Sequence, residues 1–118
     1  MIAVDTNVLL RYLLKDDEAQ SPKAAKLTTG KQKVLVTDAV LVETIWTLRG
    51  RKYQLSKLQL VDVIKALFQE PMIRFEVDQV VWKALSDYRV TKPYRGRDVD
   101  FADALVATKV QCLIEQSG

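Results

Sequence analysis

Met1-Ile-Ala-Val-Asp5-Thr-Asn7-Val-Leu-Leu10-Arg-Tyr-Leu-Leu14 decides how the rest of the chain is read. Ile2-Ala3-Val4 is a short apolar run that ends on a carboxylate, Asp5. A helical pattern follows at once, and Thr6 or Asn7 can cap it. This predicts a buried strand, then a helix over Val8–Leu14, with Asp5 at the strand's carboxyl end. In open parallel sheets ligands bind beyond that end, and an acid buried there needs a cation or hydrogen-bond donors to face. Asp5 reads equally as an ordinary helix cap, a position that favours Asp.

Working outward, Lys15-Asp16-Asp17-Glu18 reads as a charged connector to a second helix, capped by Ser21, opened by Pro22 and closed by Gly30. Val34-Leu35-Val36 reads as a second buried strand. Asp38 is expected to cap the next helix, which carries Val40, Leu41, Ile45, Trp46 and Leu48 and stops near Gly50. Ser56 opens a fourth helix with Leu60, Ile64, Leu67 and Phe68 at helical spacing. Glu70-Pro71 closes it, because a residue before proline resists helical angles. Residues 72–77 alternate like a half-exposed strand, and Asp78 is expected to cap a fifth helix along Val81, Leu85 and Tyr88. The last helix runs from Asp98 or Asp100 to Gln116. It is apolar on several faces (Phe101, Leu105, Val106, Val110, Leu113, Ile114) and is expected to be central.

Strands separated by helices imply an α/β fold with parallel pairing and right-handed crossovers. At 118 residues one domain is expected. Three short strands are few for so many helices, so a strand after the last helix is expected to be missing from this sequence.

Composition excludes several chemistries. The chain has no His, which removes imidazole acid–base catalysis and His-ligated zinc. A single Cys, Cys112, permits no internal disulfide and no cysteine cluster; it reads as a small core residue. No basic leader and no bilayer-length apolar run are present, so a cytoplasmic protein without a membrane span is expected. A net charge of +3 permits an anionic partner.

The acids fall in a pattern. Asp5 ends the first strand, Glu43 lies about one turn into the helix after the second, and Asp100 and Asp103 open the last helix, three residues apart on one face. Consecutive strand–helix units bring such positions to one edge, so Asp5, Glu43 and Asp103 could converge. Acids in a first helical turn are also favoured by the macrodipole alone, by roughly 0.3–1 kcal/mol each. Glu43 and Asp103 sit among apolar neighbours and are expected to be partly buried. Three such carboxylates repel one another, and a divalent cation removes that penalty. Carboxylate oxygens without His or Cys select Mg²⁺ or Mn²⁺, which can activate water for attack on a phosphodiester. Arg49, Arg51 and Lys52, and again Lys92, Arg95 and Arg97, could meet a nucleic-acid backbone, with Tyr53 and Tyr94 to stack on unpaired bases.

Val4-Asp-Thr-Asn-Val-Leu-Leu10, Val40-Leu-Val-Glu43, Trp46-Thr-Leu-Arg49 and Asp100-Phe-Ala-Asp-Ala-Leu-Val-Ala107, in that order, resemble the PIN-domain ribonucleases, specifically the VapC-type toxins of toxin–antitoxin pairs. The resemblance implies a three-layer α/β/α fold with a short central parallel sheet, and Mg²⁺- or Mn²⁺-dependent RNA cleavage. It implies Asp5 and Asp103 as principal metal ligands, Glu43 completing the acidic cluster, Asn7 or Thr6 orienting Asp5 or the water, and Asp100 as an extra acid. The family usually has a further acid on a strand beyond the last helix, which this sequence does not reach. The resemblance also implies a homodimer and a VapB-like antitoxin, for which Val8–Leu14 with Trp46 and Leu48 would form the groove. The rival reading is a catalytically silent PIN-like binding module. A phosphoryl-accepting receiver fits worse, because Asp5 is single.

Overall fold

The computed structural model describes residues 1–14, 33–92 and 100–117. The elements run β1 (Ile2–Ala3), α1 (Thr6–Leu14), β2 (Val34–Val36), α2 (Asp38–Arg49), α3 (Lys57–Gln69), β3 (Ile73–Phe75), α4 (Asp78–Val90) and α5 (Phe101–Ser117). The helix expected over Ser21–Gly30 lies outside the described residues. The chain divides into two compact units, Met1–Glu76 and Val77–Gly118.

The first unit holds the sheet. Its three described strands are parallel in the order β1-β2-β3, as the alternation of strands and helices requires. Ile2 pairs with Val34 and Val34 with Ile73. The expectation of a buried first strand is corrected: Ile2 and Ala3 are both exposed, because β1 pairs with β2 alone among the described strands. β2 is the buried one, with Val34 and Val36 inward. β3 is shorter than its alternation suggested, and only Ile73 and Phe75 turn into the core.

The helices are punctuated by side chains that satisfy their first amide groups. Thr37, not Asp38, caps α2: its hydroxyl accepts from the Val40 amide at 3.2 Å. Asp38 is already helical and sits where the macrodipole favours an acid. Ser56 and Gln59 form a reciprocal capping box on α3. α4 begins behind Val77 without a side-chain cap, so Asp78 is again a first-turn residue and not the cap. α1 packs along α2, α2 on α3, and α3 on β3, where Phe68 and Phe75 meet at 4.6 Å between ring centres. Leu41, Ile45 and Leu48 of α2 and Leu60, Ile64 and Leu67 of α3 are fully buried.

In the second unit α4 lies along α5, and Tyr88 meets Phe101 edge-on at 5.6 Å. Val81, Ala84, Leu85, Ala104 and Leu105 are buried. Buried Thr44 and Thr108 return their hydroxyl protons to the carbonyls four residues back, at 2.7 and 2.8 Å, and so carry no unpaired polar group. The last helix is central only in its first half. Leu113 and Ile114 are each 64% exposed, and Cys112 is half-exposed, not a core residue.

Candidate active site

Continued two residues past the last β1–β2 pair and one past the last β2–β3 pair, the parallel register brings Asp5, Thr37 and Glu76 to the carboxyl edge of the first unit's sheet. Each begins or braces a helix there. Asp5 Oδ1 accepts from the Val8 amide at 2.9 Å, and its main-chain oxygen accepts from Leu9 at 3.2 Å. Asp5 therefore caps α1 itself. Thr6 and Asn7, the residues expected to do so, belong to the helix.

That displacement leaves the Thr6 hydroxyl available to another partner. Its Oγ1 donates to Glu43 Oε2 at 3.0 Å, a bond between residues 37 apart in sequence. Asp5 and Glu43 are thereby attached to the same first turn of α1, and each bond engages one oxygen of its carboxylate. Asn7 is exposed on that turn. Glu43 is exposed, not partly buried: residues 39, 43, 46 and 49 of α2 recur every three or four positions and form its outer stripe, while Leu41, Thr44, Ile45 and Leu48 face inward.

Glu76 is an acid that the sequence pattern hid. Alternation placed it inside a strand, but β3 ends at Phe75, and Glu76 Oε1 accepts the Asp38 amide at 3.0 Å. A Glu directly after two alternating inward residues was the available signal.

In the second unit Asp100 caps α5, its Oδ1 accepting from Ala102 at 3.2 Å and its main-chain oxygen from Ala104 at 3.2 Å. Asp103 lies in the first turn and is exposed, again contrary to the partly buried position expected. Among the described residues no group of three or more His, Cys, Asp or Glu side chains forms that could hold a metal ion. Asp5 and Glu43 present carboxylate oxygens, a hard donor type.

The basic residues after α2 are well defined. Arg49, Arg51 and Lys52 are exposed, and the Lys52 ammonium lies 5.3 Å from the centre of the Tyr53 ring. The turn closes through Gln54, whose φ of 51° is left-handed and whose amide donates to Gly50 O at 2.8 Å. Lys92 is exposed; Tyr94, Arg95 and Arg97 lie outside the described residues. Of the expected groove, Trp46 is 53% exposed, but Leu48 is fully buried and inaccessible to any partner.

A family model for the PIN domain matches residues 2–111, nearly the whole chain and both units. The chain belongs to the PIN-domain family. The family is one of metal-dependent nucleases, and membership gives this PIN domain the α/β/α fold class expected from its sequence. No curated protein and no solved structure matches the chain. No helix among the described residues is long and apolar enough to cross a membrane.

Proposed function

We propose that this PIN domain is a Mg²⁺- or Mn²⁺-dependent endoribonuclease, the VapC-like toxin of a toxin–antitoxin pair. The observation that carries the reading is the Thr6–Glu43 hydrogen bond, which holds two distant acids, Asp5 and Glu43, at one helix turn beside the sheet edge. Asp103 of α5 is the third proposed ligand, and Asp100 supports it by setting where α5 begins. Asp5, Glu43 and Asp103 would hold a hard dication, which would supply an activated water and neutralise phosphodiester charge. The chain's own residues bind and orient: Asp5 and Glu43 fix one side of the site, and Arg49, Arg51 and Lys52 neutralise backbone phosphates. Glu43 and Arg49 share the outer stripe of α2, about 9 Å apart along its axis at roughly 1.5 Å per residue. A strand entering across Trp46 would thus meet acids and cations in turn, while Tyr53, steadied by Lys52, offers a ring for stacking. Lys92, Arg95 and Arg97 are proposed to contact RNA on the strength of their charge in the sequence. The proposed partners are RNA, a second copy of the chain, and a VapB-like antitoxin engaging Trp46 and the half-buried apolar residues of α1, with the protein acting in the cytoplasm.

Asp5→Asn tests the reading. Asn keeps the helix cap but removes the charge. RNA cleavage that depends on Mg²⁺ and stops with EDTA should vanish in the variant, together with growth inhibition on expression. The rival reading is a silent PIN-like binding module. Metal-independent RNA binding that survives Asp5→Asn, with no cleavage by the parent chain, would establish it.

A further inference from the structure

We infer that Thr6 is a positioning residue whose hydroxyl sets the place of the Glu43 carboxylate, and through it the spacing of the Asp5–Glu43 pair. The inference rests on the metal-dependent reading of this site only for its consequence; the tether itself stands on geometry. Glu43 protrudes on the outer face of α2, and a free glutamate side chain there would sample many rotamers. Thr6 removes that freedom with one donor, against the rotamer entropy that a long side chain loses when it is ordered. Threonine is well suited to this. Its β-branched side chain has few χ1 states, and it sits in the first turn of α1, where Asp5 fixes the backbone immediately before it. Asp5 and Thr6 are consecutive, so the cap that places one places the other. The 3.0 Å bond then transmits that placement to α2, across 37 residues of chain. The hydroxyl donates to Oε2, leaving Oε1 as the oxygen the tether does not use.

Thr6→Val keeps the shape and removes the donor; Thr6→Ser keeps the donor with a freer side chain. In the metal-free chain, NMR relaxation of the Glu43 methylene groups should show lower order in Thr6→Val and near-parent order in Thr6→Ser. Mn²⁺ affinity should fall about three- to tenfold in Thr6→Val, the size expected for one partly exposed bond to a charged acceptor. In a Glu43→Gln background, Thr6→Val should change Mn²⁺ affinity no further. Unchanged Glu43 order in Thr6→Val overturns the inference, whatever the RNA assay gives. So does an equal loss of Mn²⁺ affinity with and without Glu43. A parent chain that binds no Mn²⁺ while Glu43 loosens in Thr6→Val supports the tether and sinks the nuclease reading instead.

Discussion

The two acid-bearing helix starts of this molecule are built differently. At α1 the acids come from far apart in sequence: Asp5 is a cap, Glu43 arrives from α2, and a side-chain hydrogen bond joins their supports. At α5 the acids are three residues apart in one turn; Asp100 is occupied in capping and Asp103 stands exposed. The first arrangement needs tertiary structure to exist, whereas the second is what any acidic helix start would look like. The sheet edge of the first unit is therefore the arrangement that tertiary structure builds, while the acids at α5 are explained by the helix start alone.

The largest expected effects separate those two starts by activity. Asp5→Asn should lower RNA cleavage by about a hundredfold or more, an effect of about 3 kcal/mol or above on the barrier, while moving the melting temperature little. Asp103→Asn should match it if the three acids act as one unit; a fall of less than about tenfold, or roughly 1.4 kcal/mol, would confine the site to the first unit. Next in size are the supporting helices. Leu41→Ala, at a fully buried position of α2, should cost about 2–5 kcal/mol in denaturant unfolding. Leu113→Ala, on the exposed half of α5, should stay within about 0.5 kcal/mol. Between these falls the cap: Asp100→Ala should lose about 1 kcal/mol, as expected for an N-cap.

A further small effect concerns Tyr12. Burial first, then the hydrogen bond and charge of Glu70, hold its phenol well above the usual tyrosine range. A raised value means the neutral phenol is favoured in the folded chain. Its contribution is fully present below the ordinary value of about 10 and is lost as pH rises through the folded value. Ultraviolet titration should show Tyr12 ionising later than an ordinary tyrosine. Tyr12→Phe should remove that late step and leave stability at neutral pH within about 1 kcal/mol of the parent.

What could be read from the sequence follows the same division. Strand–helix order, the buried runs of α2 and α3 and the Ser56 cap were legible, since each depends on local periodicity and turn chemistry. The acids at positions 5, 43 and 103 were identifiable as types at helix starts. Their exposure was not, because apolar neighbours in sequence need not be neighbours in space: Leu41 and Ile45 turn inward while Glu43 between them turns out. Caps slipped by one residue at Thr37 and Val77, where the helix began one residue earlier than the acid suggested. The Thr6–Glu43 bond and the Glu76 brace on Asp38 join distant segments, so no local pattern announces them.

The most direct test of the central claim is Mn²⁺-induced broadening of amide NMR signals in the parent chain. Substoichiometric Mn²⁺ should first bleach Asp5, Thr6 and Glu43, and Glu43→Gln should weaken the bleaching at all three positions. Broadening that begins elsewhere, or none at these residues at saturating Mn²⁺, would contradict the assignment of this sheet edge as the metal-dependent nuclease site.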